Sequence, residues 1–264
     1  MLDPVARARA LGYPYHSPPH DCVWAAGQII PLVGVGINQI ASALSDAGAD
    51  PRAKRTPVLA IGSNRAPVQL RRKFSDFQPP CAVLIAKATL KDFDIVYGAG
   101  IASYGAIGGA TLATSPGTEV ETWVTWLDDR QLERMHETEG LSSGVYKLLE
   151  LQQIELKFDC GPTWSAARAY VQSAGSLNIG NTSVALSEIP AKGRKLAELR
   201  QPQIQSLLRD RFAPGKTIAQ FIAENIADAD LRQRRTEAMR ANAIPFDWPH
   251  HQDQTPYRMR PRIS

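Results

Sequence analysis

Apolar residues along this chain recur at two different spacings, and the places where the spacing changes mark its elements. From Ile37 they return at Ile40, Ala41 and Leu44 before the turn-rich SDAGADPR, which predicts a short helix near 36–47 and a linker ending at Pro57. Val58 to Ile61 reads as a short buried strand that stops on Gly62-Ser63-Asn64, and RAPVQLRRKF behind it has helical spacing, with Val68, Leu70 and Phe74 as its apolar positions. Between 81 and 127 the segments CAVLIAKATL, FDIVYG, GGATLAT and VETWVTWL are strand-like, with turns such as SPGTE between them. DDRQLERMHETEG opens on Asp128 and Asp129, good capping residues, and closes on Gly140, so it predicts a helix of two to three turns. Strands resume at VYKLLELQQIEL and SAARAYVQS. After about residue 187 the pattern turns helical, first over AKGRKLAELRQPQIQSLLRDRF and then over KTIAQFIAENIADADLRQRRTEAMRAN, with Pro214 and Gly215 between.

Both ends look different. Pro4, Pro14, Pro18 and Pro19, with aromatics among them, predict an extended arm over residues 1–20, and PFDWPHHQDQTPYRMRPRIS is a proline-rich basic tail. Strands cluster in the centre and helices toward the ends without alternating. That predicts an α+β fold and argues against a doubly wound parallel sheet.

Composition narrows the class without naming a partner. The chain has 264 residues, 44% hydrophobic and 21% charged, enough to bury a working core and ordinary for a globular protein. Its net charge of +4 is diffuse and partly terminal, at Arg258, Arg260 and Arg262, which gives no basic face for nucleic acid. Three widely spaced cysteines, Cys22, Cys81 and Cys160, form no disulfide framework and suit a reducing, cytoplasmic setting. MLDPVARARALGYPYH carries no apolar run behind its charges, so no secretory signal is expected. GQIIPLVGVGINQIASAL is broken by Gln28, Pro31, Asn38 and Gln39, which favours a buried strand and helix over a membrane span.

Two places could carry chemistry. A strand ending on Gly62-Ser63-Asn64 leaves backbone N–H groups free, and glycine lets a ligand approach them closely, so the loop could hold a carboxylate or phosphate. The plain alternative is a helix cap. Glu139, directly before Gly140, sits at the negative end of its helix; if it is also buried, its proton affinity should rise toward what a general acid/base needs. Its plain alternative is an exposed glutamate beside Glu133 and Glu137.

IGSN at 61–64, GGATLATSPGTEV at 108–120, WVTWL at 123–127, ETEG at 137–140, SGVY at 143–146 and ARAY at 167–170 together resemble the gamma-glutamylcyclotransferase family, in the family's order and at similar separations. The resemblance covers about residues 56–186. It implies a small, partly closed β-barrel of mixed strands with flanking helices, preceded by an arm and short helix over 1–55 and followed by a helical extension and basic tail over 187–264. It also implies that the amides of Gly62, Ser63 and Asn64 bind the α-carboxylate of a γ-glutamyl group. Glu139 would be the acid/base residue, and Ile61, Tyr146 and Tyr170 would line the pocket. The implied reaction is cyclising release of 5-oxoproline and a free amine, with no cofactor and no metal. Its partner is a small γ-glutamyl substrate, with no nucleic acid or membrane, and the extensions could cap the pocket or join subunits in a homo-oligomer.

The sequence departs from the family's pattern at Ile61, where tyrosine is usual, and after the last barrel strand, where SEIPAKGRKL has no matching tyrosine. Two other readings stay open: the same fold and glutamate acting on a different amide or amine, or a binding module without turnover. Arg65 beside the loop could contact an anion, although a solvated arginine is the default, and His136, one turn before Glu139, defaults to a solvent-facing position. The cluster His16, His20, Asp21 and Cys22 gathers ligand types but lacks a distant matching set.

Overall fold

The computed structural model describes residues 2–32 and 37–256. Residues 33–36 of the long apolar stretch and Arg258, Arg260 and Arg262 of the basic tail lie outside the described residues.

The chain opens with helix α1 (Pro4–Leu11), started by the Asp3 side chain accepting from the Ala6 amide at 2.9 Å. The arm expected to be extended is therefore helical over its first part, because Asp3-Pro4 supplies both an N-cap and a first-turn proline. Strands β1 (Cys22–Ala25) and β2 (Gln28–Pro31) form a hairpin, followed by helix α2 (Ile37–Asp46). β2 is largely exposed, which corrects the expected buried strand.

Five strands make the centre: β3 (Thr56–Leu59), β4 (Ala82–Tyr97), β5 (Ala110–Leu127), β6 (Tyr146–Phe158) and β7 (Thr163–Gln172). Pairing runs β5-β3-β7-β6-β4 and closes through β4–β5, so the sheet is a closed five-stranded barrel. Only β3–β7 is parallel within this ring; the other pairs are antiparallel. Helices α3 (Pro67–Lys73) and α4 (Asp129–Thr138) pack on one side, and α5 (Gln201–Phe212), α6 (Ile218–Ala227) and α7 (Ala229–Arg240) follow the barrel. The protein is thus α+β, with a mixed barrel and flanking helices. Among the described residues no helix is long and apolar enough to cross a membrane.

Alternation along the strands sorts side chains into two clusters. Leu59, Leu90, Val124, Leu151 and Val171 belong to one, joined by Ile204 and Leu208 of α5, Phe221 of α6 and Met239 of α7. Val58, Ile85, Trp123, Leu148 and Tyr170 point the other way, under Leu70 and Phe74 behind α3 and Met135 of α4.

Three local expectations give way to tertiary pairing. The four strand-like segments over 81–127 merge into β4 and β5, which stay paired for most of their length. SPGTE is no hairpin turn: Leu90 pairs with Val120 and Phe93 with Thr114, so Ser115–Thr118 bulges out beside Asp92, whose carboxylate accepts from the Gly117 amide at 2.7 Å. AKGRKL is not helical. Ala191–Lys192 pairs with β5, and Arg194 reaches back to the fully buried Asp94 through contacts of 2.9 and 3.0 Å.

Candidate functional site

Parallel β3 and β7 bring their C-terminal ends to the same mouth of the barrel, with Leu59 level with Ala169. β7 then places Gln172 opposite Tyr146 at the start of β6. β3 continues into a loop with a single 3₁₀ turn, Ser63–Arg65, before Pro67 opens α3. At this mouth lies a cavity of about 380 Å³ lined by Ile61, Gly62, Ser63, Asn64, Glu139, Tyr146 and Tyr170. The residues that the resemblance assigned to the pocket therefore line one cavity.

The position of Glu139 follows from how α4 starts and stops. Asp128 and Gln131 exchange bonds in a capping box, and Glu139 itself is the C-cap. Gly140, at φ +65°, turns the chain left-handed; its amide donates to the Glu137 carbonyl at 3.1 Å, and Leu141 donates to the His136 carbonyl at 3.3 Å. This is a Schellman closure, with Leu141 fully buried behind it. The turn swings Glu139 off the helix surface toward the cavity, where its side chain is 15% exposed, so the exposed-glutamate alternative does not hold.

Both protein donors to this carboxylate use one oxygen. Asn64 Nδ2 donates to Oε1 at 3.1 Å, and Lys73 Nζ forms a close ion pair with the same atom while also contacting Met135 Sδ at 3.2 Å. Oε1 is thereby fixed, and Oε2 has no protein partner among the described residues. The ammonium was not anticipated. Lys73 stands in the basic run at the end of α3 yet has only 5% of its side chain exposed.

The loop supplies the opposite wall. The Gly62, Ser63 and Asn64 amides, and that of Ile61 before them, donate to no group among the described residues, unlike the Ala60 amide, which donates to the Trp123 carbonyl at 2.7 Å. Arg65 corrects the expected solvated arginine: it is 2% exposed, and its Nε and Nη1 lack hydrogen-bond partners. Burial lowers its guanidinium pKa to about 10, with Glu121 and Tyr13 acting the other way. A buried cation next in the chain to these unpaired amides makes this part of the wall favourable to an anion.

The tyrosines divide the remaining work. Tyr146 donates to the Ala110 carbonyl at 3.3 Å and accepts from Gln172 Nε2 at 3.3 Å. Tyr170 is hydrogen-bonded to His136 Nδ1 at 2.8 Å, and both are buried, which corrects the solvent-facing histidine. Burial, reinforced by the Glu139 carboxylate, pushes both phenols upward, so both stay protonated. Gln172 is 5% exposed and lines the cavity; its Nε2 holds the Tyr146 hydroxyl, and its Oε1 is buried without a hydrogen-bond partner among the described residues.

Several lining residues carry no local sign in the sequence: Tyr13 from the arm, Lys73, Gln172, Tyr104, and Arg232 and Arg240 of α7. Only the proline-rich setting of Tyr13 and the basic run around Lys73 set any of them apart. His16 and His20 are exposed while Asp21 and Cys22 are buried, so that cluster does not assemble. Among the described residues no group of three or more His, Cys, Asp or Glu side chains is placed to hold a metal ion.

No family model matches the chain, and no curated protein matches it. Among solved structures, the chain is similar to one described as a gamma-glutamyl cyclotransferase, at 18% identity and a TM-score of 0.36, over 78% of this chain and 96% of that one. An uncharacterized Homo sapiens protein is similar at 18% identity and a TM-score of 0.39, over 78% of this chain and 96% of that one. A protein from Arabidopsis thaliana, its structure determined in solution, is similar at 15% identity and a TM-score of 0.34, over 61% of this chain and 87% of that one.

Proposed function

We propose that this protein cyclises a γ-glutamyl amide, releasing 5-oxoproline and a free amine, with Glu139 as the single general acid/base. The observation that carries the reading is the unshared Oε2 of Glu139 on a cavity whose other wall holds the unpaired amides of Ile61 and Gly62. In such a substrate the nucleophile and the electrophile belong to one chain of atoms. The α-amine needs only to be folded onto its own γ-carbonyl carbon, so positioning supplies much of the rate.

Binding the α-carboxylate at residues 61–64 fixes one end of the glutamyl chain, with the buried Arg65 charge behind it. Glu139 Oε2 takes a proton from the α-ammonium, and the freed amine attacks the γ-carbonyl carbon. As the new C–N bond closes the five-membered lactam, the proton held on Glu139 passes to the departing nitrogen and the old amide C–N bond breaks; the second proton, left on the ring nitrogen, then passes through the carboxylate to the released amine, which departs as an ammonium. The carboxylate is regenerated and nothing else is consumed. Asn64 and Lys73 hold Oε1, so one oxygen keeps the carboxylate in place while the other exchanges the proton.

The test is mass spectrometry of incubations with a panel of γ-glutamyl amides and unrelated amides. Release of 5-oxoproline from the native chain, and its loss by a factor of at least about 100 in Glu139→Gln, is the expected result. Turnover by Glu139→Gln close to the native rate excludes the assigned role, and turnover confined to unrelated amides favours the different-substrate reading.

A further inference from the structure

Tyr13 belongs to the N-terminal arm, far in sequence from the barrel, yet it is 4% exposed and lines the cavity. Its hydroxyl oxygen accepts a hydrogen bond from the Ala110 amide at the start of β5. The phenol proton, in contrast, has no acceptor among the described residues. A buried O–H donor left without a partner costs about 1–3 kcal/mol, so at a cavity wall this proton is offered to whatever fills the cavity, water or ligand.

The same oxygen lies against the loop. A methyl group built on Gly62 would stand 2.7 Å from the Tyr13 hydroxyl and 3.1 Å from the Ala110 Cβ, so the absence of a side chain at 62 is what lets the phenol approach. The Tyr13 O–H therefore lies against the loop whose amides at Ile61 and Gly62 are unpaired. Burial pushes the phenol well above its ordinary pKa, with Tyr146 and Glu139 adding to the effect, so it stays a neutral donor.

The arm is held on both sides, which makes Tyr13 a placed group and not a loose end. The Tyr15 hydroxyl donates to the Arg9 carbonyl at 3.1 Å, and the Arg72 guanidinium stacks on the Tyr15 ring at 4.9 Å. Arg9 in turn covers the ring of Tyr104, another cavity residue, at 4.6 Å. The arm thus bridges α3 and the segment before β5.

From this arrangement we infer that Tyr13 is a substrate-binding residue, its O–H donating to a carboxylate oxygen of the ligand held at Ile61 and Gly62. The inference rests on the function proposed above for its choice of carboxylate, and it makes the N-terminal arm a working part of the pocket.

The experiment compares native protein, Tyr13→Phe, Glu139→Gln and the double variant. Phenylalanine keeps the ring and removes only the hydroxyl. Calorimetric titration of L-glutamate, 5-oxoproline and the γ-glutamyl panel into Glu139→Gln, with and without Tyr13→Phe, should show Kd rising about 10- to 100-fold, the size expected for a hydrogen bond to a charged group. In the native background Tyr13→Phe should raise KM by a similar factor while kcat changes little. Thermal unfolding separates folding from binding. A lowered Tm with unchanged Kd and KM reduces Tyr13 to packing and overturns the inference. If Tyr13→Phe does not fold, Gly62→Ala displaces the phenol from the other side, and unchanged affinity there also overturns it. Tyr13-dependent binding without any 5-oxoproline keeps this inference and removes the cyclisation. Release of 5-oxoproline with native KM in Tyr13→Phe does the reverse, and failure of every probe to bind removes both.

Discussion

Replacing Lys73 by methionine tests whether the buried ion pair is what holds the Glu139 carboxylate. Methionine keeps an unbranched stem of similar volume, so the change removes a charge without opening a cavity. Taking one partner from a fully buried pair costs about 3–5 kcal/mol, because the other charge is left uncompensated. Glu139 is less isolated than that: it is 15% exposed against 5% for Lys73, it keeps the Asn64 bond at 3.1 Å, and Oε2 opens on the cavity. The loss should therefore be smaller, about 1–3 kcal/mol, or a fall of roughly 2–12 °C in Tm for a chain of this size. Glu139→Gln alone strands the buried ammonium, whereas the double variant strands neither charge. Urea unfolding of all four proteins, read as midpoints at constant slope, should return a coupling of at least about 1 kcal/mol. Additivity within about 0.5 kcal/mol would refute the claim that the two groups act as a pair. If 5-oxoproline is released by the native chain, Lys73→Met should also lower kcat, since Oε1 is then held by Asn64 alone.

Arg194→Met should be among the more costly single changes outside the cavity, about 3–5 kcal/mol, since it leaves Asp94 buried and unpaired; Asp94→Asn in the same chain should recover much of it, and urea midpoints would show otherwise. The exposed Asp76 carboxyl is held down at about 2 by its two-pronged bond with Arg134 at 2.7 and 2.8 Å. Because its folded pKa is depressed, the stability it contributes is present above the ordinary carboxylate range and disappears as pH falls through about 2; NMR titration should find this midpoint, and Arg134→Met should return it to about 3.9. Burial pushes the Cys22 thiol up to about 12, while Cys160 is exposed. A thiol reagent at pH 8 should accordingly modify Cys160 rapidly and Cys22 and Cys81 only on unfolding; rapid labelling of a second cysteine contradicts the burial argument.

What could be read from the sequence was local. Asp128 and Gly140 state where α4 begins and ends, because capping and positive φ depend on a few adjacent residues. These signals put Glu139 at a helix end and the Gly-Ser-Asn loop at a strand end, and the α+β class followed from the order of the two periodicities.

Tertiary structure alone decided the rest. SPGTE carries the chemistry of a turn, but strand pairing with β4 on both sides absorbs it as a bulge. AKGRKL has helical composition, but a fully buried Asp94, 100 positions earlier, draws Arg194 into an ion pair. Arg65 reads as a solvated charge because nothing next to it says otherwise, and nothing local marks Lys73 or Tyr13; Lys73 meets its carboxylate 66 residues away, and Tyr13 meets the Ala110 amide 97 residues away. Backbone caps and periodicities are set by neighbours a few positions apart, and so they are written in the sequence. Whether a charge or a phenol is buried depends on which distant group the closed barrel brings against it, and that is settled only when the strands pair.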